Sequence, residues 1–299
     1  MNEGGIKLVL NLELLAELVA FQQYGTLSAT AEHLMITQPS VTRGMRRLEA
    51  DLGVTLFDRR VSNHITLTDT GALAATEAQK LLAASDRFAE TVHNYDNAQH
   101  EMTVASVAPG PIRFVDEIHS QLPGQLTLSH TSMTADQVIP ALQTFKARLV
   151  FTNTEIMTDE IESLYLGTES IGLGIDKFNP LAQRQAVTFN DLTGMSFLVV
   201  QDIGPWKKIV EDNIPDAAFL YQADLGAMSQ ISRYSNFPFF FSNLTQATSA
   251  TAARFDNDTR NRVPIEDLHN QLEFYGTYLK RDRQTIRPLL QKISQLWPA

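Results

Sequence analysis

Gly25 and Gly53 bracket the stretch that most restricts this chain, because the residues between them have room for two short helices and one tight turn. Ahead of Gly25, residues 12–24 repeat apolar side chains at helical spacing: Leu14, Leu18 and Phe21 form one stripe, with Leu15 and Val19 beside it. After it, Ser28 stands as the N-cap of a short second helix that carries Ala31, Leu34 and Met35. Ile36 and Thr37 make the turn. Thr37 caps a third helix, with Pro39 in its first turn, that runs to about Leu52 and stops at Gly53. The next segment, TLFDRRVSNHITLTDTG, reads as a β-hairpin around the polar pair Ser62-Asn63.

The third helix has two chemically distinct sides. Wound at the helical period, it puts Val41, Met45, Leu48 and Leu52 on one face and Pro39, Arg43, Arg46 and Ala50 on the other. Thr42 and Arg47 flank the outer face, and Ser40 lies nearby. A helix that enters the DNA major groove needs this division, with bulk behind and hydrogen-bonding groups in front. Arg43 and Arg46 suit guanine edges or phosphates. Gln38 and Ser40 suit base edges or backbone, and Thr26 and Ser28 at the second helix are further contacts. Arg59 and Arg60, with Asn63 at the hairpin tip, are placed for backbone or minor groove. The competing reading is a solvated basic face. The order helix, turn, capped helix, hairpin, long helix favours a winged helix-turn-helix instead.

Charge sharpens that reading. The chain of 299 residues carries a net charge of −10, yet residues 36–66 hold five arginines against three acids. A small basic patch on an acidic body fits a reader that touches DNA at one end, and not a protein that coats nucleic acid. The chain has no cysteine, which excludes disulfides, thiolate catalysis and thiol redox sensing. It shows no membrane-length apolar run, and its first residues lack a basic n-region, so a cytoplasmic protein is expected.

Residues 70–96 contain no proline and, after Gly71, no glycine. Ala74, Ala78, Leu81, Ser85, Phe88, Val92 and Tyr95 alternate spacings of four and three, the mark of a coiled-coil seam with one polar member. The arm is roughly 37 Å long at the helical rise. Pairing two such arms makes a homo-oligomer with recognition helices about 34 Å apart on an imperfect palindrome. Beyond His100, strand-like runs (MTVASV, QLTLSH, RLVFTN, ESIGLGI, SFLVVQ, PFFFS) alternate with helix-like segments at 111–122, 134–146, 205–213 and 226–235. That is the texture of parallel sheets with crossover helices, here in two lobes. QLEFYGTYLK at 271–280 reads as a strand returning between lobes. RQTIRPLLQKISQLW reads as a closing helix despite Pro288. Phe237, Phe239, Phe240 and Phe241 read as a buried central strand rather than a binding platform.

The N-terminal motifs closely resemble those of the LysR-type transcriptional regulators. Gly25-Thr26, Thr30-Ala31, Leu34, Thr37-Gln38-Pro39, Thr42-Arg43, Leu48-Glu49, Leu52-Gly53, Leu56-Phe57-Asp58-Arg59 and Leu67-Thr68-Asp69-Thr70-Gly71 stand in register with the family pattern over about 60 residues. The chain departs at the wing, where Ser62, Asn63 and His64 replace an expected arginine. Farther on, Asn179-Pro180-Leu181-Ala182 and Thr188-Phe189-Asn190-Asp191-Leu192 remain similar. Leu149-Val150-Phe151 lacks the family's aspartate, and the first lobe looks trimmed near Pro123-Gly124. The resemblance implies an α/β protein with an N-terminal winged helix-turn-helix, a long linker helix and two Rossmann-like lobes similar to periplasmic binding proteins. It implies a DNA-binding domain over 1–69, a linker and dimerisation helix over 70–97, and an effector domain over 98–299. Lobe I of that domain takes about 98–166 and 275–299, and lobe II about 167–274. It further implies homotetramers on double-stranded promoter DNA, a small-molecule effector, and RNA polymerase as a further partner.

In doubly wound sheets, ligands lie beyond the carboxyl ends of the strands. That rule selects Ser106, Val107, Ala108 and Pro109, then Thr131, Ser132 and Thr134, in the first lobe. In the second lobe it selects Gln201, Asp202, Ser242 and Asn243. Hydroxyls and free backbone N–H groups there suit a small carboxylate or other anion, with helix capping as the competing role. The alternative is an α/β enzyme or a solute-binding module with an accessory DNA-binding head. No dinucleotide fingerprint, Walker loop, Gly-x-Ser-x-Gly or His-Glu-x-x-His supports an enzyme. His93 and His100 share a helical face without a matching carboxylate, so neither metal nor cofactor is expected.

Overall fold

The computed structural model describes residues 10–61, 64–246 and 259–298. The expected hairpin tip at Ser62-Asn63, and with it the proposed contact at Asn63, lies outside them. The chain falls into two compact units, Met1–Val92 and His93–Ala299, and the division lies within one long helix.

The first unit opens with α1 (Leu12–Tyr24), capped by the Asn11 side chain and stopped by Gly25 in the left-handed region at φ 73°. Helix α2 (Leu27–His33) begins earlier than expected. Thr26, and not Ser28, is the N-cap: its hydroxyl accepts from Ala29 N at 3.2 Å, and Ser28 lies inside the helix. Helix α3 (Gln38–Leu52) is capped by Thr37, whose hydroxyl accepts from Ser40 N, and ends at Gly53 with φ 68°. Strands β1 (Phe57–Val61) and β2 (His64–Leu67) form the antiparallel wing, with Phe57 opposite Leu67. Helix α4 (Asp69–His100) follows, longer than expected by a few residues at its C-terminal end. One core joins these elements. Leu14, Leu18 and Phe21 pack with Val41, Met45, Leu48, Leu56, Phe57, Ala75 and Ala78.

The second unit is built on a sheet with two parallel ends. At one end β3 (Met102–Ser106) lies between β4 (Leu126–Leu128) and β5 (Leu149–Thr152), all parallel. Helices α5 (Pro109–Ile118) and α6 (Ala135–Gln143) are the crossovers. At the other end β7 (Ser196–Val200) pairs in parallel with β8 (Ala218–Gln222) and β9 (Phe239–Ser242), with α7 (Trp206–Asn213) and α8 (Leu225–Tyr234) as crossovers. A short helix, α9 (Asn243–Gln246), follows β9. Two long antiparallel strands join the ends. The first half of β6 (Ile161–Asp176) pairs with β11 (Gln271–Leu279); its second half pairs with β9 and with β10 (Arg260–Pro264). Strand β11 also pairs with β5 and so returns the chain to the first lobe. Helix α10 (Arg283–Leu296) closes that lobe with Pro288 inside it.

Three strand segments escaped the sequence pattern, for different reasons. The first half of β6, IESLYLGT, and β8, AFLYQ, mix polar and apolar residues without clean alternation. β10, RNRVP, is a polar edge strand that ends on proline. Phe237 also departs from expectation. It precedes β9 and is 38% exposed, whereas Phe239 is buried in that strand.

Two carboxylates pin these units. In lobe I, Glu162 is buried and accepts from Tyr278 Oη at 2.6 Å and from Arg283 Nε at 2.8 Å, tying β6 to β11 and α10. The Arg283 hydrogen bond holds the Glu162 carboxyl down to about 2, against the desolvation that would raise it. In the head, Glu49 Oε1 accepts from Leu56 N and Phe57 N at 2.8 and 3.0 Å, and Oε2 pairs with Arg59 at 2.9 Å. This single side chain fastens α3 to the wing. Glu49→Ala strips the acceptor from two partly buried N–H groups and leaves Arg59 unpaired. The expected loss is about 2–3 kcal/mol of head stability, read as an early transition in chemical denaturation followed by circular dichroism. A variant that melts with the parent would show that the latch contributes nothing.

Candidate nucleic-acid interface and interlobe cavity

Packing fixes the rotation of α3. Val41, Gly44, Met45 and Leu48 are buried, whereas Arg43, Arg46, Arg47 and Ala50 face outward. Gln38 and Pro39 are exposed at its start, and Ser40 and Thr42 are half-buried. The outer face is partly preset. Thr37 Oγ1 and Ser40 Oγ are 2.9 Å apart, and Arg43 Nη2 donates to Ser40 Oγ at 3.3 Å. Thr42 satisfies its hydroxyl on Gln38 O at 3.1 Å. Arg47 has a loose, exposed pair with Asp51 at 3.8 Å. Among the described residues, Arg46 has no ion-pair partner, so Arg43 and Arg46 offer cationic donors about 4.5 Å apart along the axis. Thr26 and Ser28 are both exposed at the start of α2. Thr26, however, spends its hydroxyl on the cap.

The wing arginines are engaged within the chain. Arg59 lies between Glu49 and the Phe57 ring, 5.4 Å from its centroid. Arg60 Nε donates to both oxygens of Asp58 at 3.0 Å. The arginine–carboxylate hydrogen bonds hold Asp58 down at about 2. In the seam chosen from α4, Ala78 is buried and Ala74 half-buried against the head core. Ser85 is half-buried, and Leu81, Phe88 and Val92 are exposed, Phe88 most of all at 72%. Tyr95, half-exposed, meets the Phe145 ring edge-on with centroids 4.9 Å apart.

The strand-end residues of the second unit divide between structural roles and cavity walls. Ser106, Ala108, Pro109 and Ser132 line a polar cavity of about 160 Å³, together with Arg113 and His130. Ser106 Oγ accepts from Ala108 N at 3.1 Å, and Val107 N donates to Phe151 O. Thr131 is exposed, and the first turn at Thr134 is held by Gln137, whose Oε1 accepts from Thr134 N. Asp202 reaches across the lobes and accepts from Ser132 N at 3.1 Å. Gln201 is exposed, with its backbone on β8's Gln222. Asn243 commits its whole amide to the chain: Oδ1 accepts from Ser170 N and Leu244 N, and Nδ2 donates to Thr168 O and Pro298 O.

A second cavity of about 110 Å³ was not foreseen. Its walls come from the first turns of α5 and α7, from β6, β7 and β9, and from α8. Ser242 and Pro109 are the foreseen residues it includes. At its polar end sits Glu169, 2% exposed, which accepts from Trp206 Nε1 at 2.9 Å and from the Ser242 hydroxyl. Gly110 makes the site: a side chain there would collide with the Glu169 carboxylate. Burial pushes that carboxyl above its ordinary range, opposed by the two hydrogen bonds and by the charge of Arg113. The missed signal was the glutamate that opens the otherwise apolar run ESIGLGI, which strand-end reasoning passes over.

Comparison with known proteins agrees with both parts. Residues 12–72 match the model for "Bacterial regulatory helix-turn-helix protein, lysR family". The transcriptional regulator YbhD of Escherichia coli (strain K12) is 24% identical over 209 residues, which are 66% of this chain and 63% of YbhD. The hydrogen peroxide-inducible genes activator of Haemophilus influenzae is 23% identical over 64% of this chain and 65% of its own length. The chain thus spans less than two thirds of these relatives. The regulator PtxR of Pseudomonas aeruginosa is 39% identical over 77 residues, 26% of this chain and 24% of PtxR. Among solved structures, a full-length OxyR variant from Pseudomonas aeruginosa superposes with a TM-score of 0.50 at 17% identity, over 95% of both chains. Full-length CbnR complexed with its target DNA superposes with a TM-score of 0.50 at 18% identity, over 96% of this chain and 99% of CbnR. These two share the fold: a winged helix-turn-helix, a long helix and a two-lobed α/β unit. The head, residues 12–72, thus matches the lysR family of bacterial regulatory helix-turn-helix proteins.

Proposed function

We propose that the chain is a sequence-specific DNA-binding transcription regulator whose DNA binding or activation responds to a small effector in the cleft between its lobes. The exposed Arg43–Arg46 face of α3, backed by sealed apolar packing, carries this reading. The DNA-binding part is residues 1–69, the linker and dimerisation helix 70–97, and the effector part 98–299. Promoter DNA with an imperfect dyad is the main partner, which sets its work in the cytoplasm. Among the described residues no helix is long and apolar enough to cross a membrane. The regulatory reading is preferred to an α/β enzyme because the relatives named above are regulators.

Base contact is assigned to Gln38, Ser40, Thr42, Arg43 and Arg46. Arg47, Arg59 and Arg60 serve the phosphate backbone, Arg47 and Arg60 after loosening exposed ion pairs that are worth little, and Arg59 from beside its half-buried partner Glu49. An effector acts by population shift: it favours one lobe geometry over another, and only that difference in affinity moves the equilibrium. Arg43→Ala is expected to cost about 1–3 kcal/mol of operator binding and to relax preference at one base pair. Gel retardation over a panel of operator variants measures both. Unchanged affinity together with unchanged preference removes Arg43 from base reading.

We further assign self-association to the exposed part of the α4 seam, Leu81, Phe88 and Val92, with Ser85 and Tyr95 flanking. Ala74 and Ala78 support it from the head side. Leu81→Asp is expected to lower the mass seen by light scattering to that of a smaller assembly. A mass equal to that of the parent chain places the interface elsewhere.

A further inference from the structure

We propose that the cavity beneath Glu169 takes a small uncharged aromatic molecule bearing one hydroxyl, and that Glu169 receives that hydroxyl and turns carboxylates away. The inference rests on the reading that this unit senses a small molecule, and it specifies the chemical class. It concerns a different cavity from the hydroxyl-rich strand ends, for which an anion was expected.

Size comes first. The cavity measures about 110 Å³. A dry cavity of about 150 Å³ lined by Leu, Ile and Phe binds benzene, so one ring is the right scale here. The walls are of the same kind: Ile171, Leu198, Val200, Met228, Phe239 and Phe241 surround the space. Such a surface rewards a flat apolar body and offers few polar partners.

Charge comes second. The first turn of a ten-residue helix is an ordinary seat for an anionic ligand, and α5 aims its first turn at this cavity. The seat is already taken, because Gly110 clears space there for the chain's own Glu169 carboxylate. Trp206 and Ser242 donate to the same group, and the Arg113 charge acts on it. A ligand carboxylate about 4 Å away would face that charge or have to drive a proton onto Glu169, whose burial already favours it, and would bind on the order of tenfold more weakly. A hydroxyl meets no such penalty and can donate to Glu169. Arg262, exposed over the Phe241 ring at 5.8 Å, marks the rim, where an anion entering ring first would have to leave its charge.

The test uses the full chain and three probes of like shape: benzyl alcohol, toluene and benzoate. Calorimetry and thermal shift are expected to rank benzyl alcohol first, with toluene and benzoate each about tenfold weaker. Glu169→Gln keeps an acceptor for Trp206, weakens benzyl alcohol about fivefold and narrows its lead over benzoate. Met228→Trp fills the cavity and abolishes binding; should that variant misfold, the probe ranking and Glu169→Gln decide alone. Benzoate binding as tightly as benzyl alcohol overturns the proposal, as does the absence of benzyl alcohol binding. Binding that neither variant alters overturns it too. Gel retardation is run in parallel. Intact operator binding with a failed probe ranking removes only the ligand class. A correct ranking without DNA binding removes the regulator reading and leaves the cavity chemistry standing.

Discussion

Val41, Met45 and Leu48 are sealed in the head's core, and because a helix has only one rotation that seals them, the same packing decides where Arg43 and Arg46 point. Each further feature of the head serves that rotation. Thr37 begins the helix at the right residue, and Gly53 ends it at φ 68°. Glu49 then fastens its last turn to the wing through two backbone N–H groups and Arg59. Burying one large side chain contributes about 1.5–3 kcal/mol, so three of them outweigh the exposed ion pairs on the outer face several times over. The basic face is therefore a consequence of the apolar one.

The second unit solves a different problem. Two parallel half-sheets cannot share one apolar core without a connection, and β6 and β11 supply it by running antiparallel between them. Their buried side chains serve both cores, with Leu166 in one lobe's core and Ile171, Leu173 and Ile175 in the other's. Glu169 sits at the changeover between these runs, where a charged group would otherwise be costly. Trp206 and Ser242 from lobe II, and the space left by Gly110 in lobe I, are what make it tolerable. A group held by both lobes is well placed to report their relation.

Much of this was legible in the sequence, and the rest was hidden for physical reasons. The head could be read nearly residue by residue because caps, glycine stops and apolar spacing are local signals. The exception is instructive: Ser28 and Thr26 are both competent caps, and the helix starts at the earlier one. The parallel strands were legible as apolar runs, whereas β8 and β10, polar and short, were not. Strand-end logic found Ser106, Pro109 and Ser132 at one cavity, yet it also selected Asn243, whose amide is committed to β6 and the C-terminal segment. It could not find Glu169, because that site depends on Gly110, Trp206 and Ser242, three residues far apart in sequence that only the fold brings together.

The chain's lack of cysteine makes the central claim directly measurable. A single cysteine at the exposed Ala50, on the outward side of α3, can carry an iron–EDTA group that cleaves nearby DNA. If this face enters the major groove, cleavage of bound operator falls in one compact patch per half-site, on both strands. Cleavage spread evenly along operator that is fully bound would show that α3 turns away from the duplex, and would contradict the regulator reading at its root.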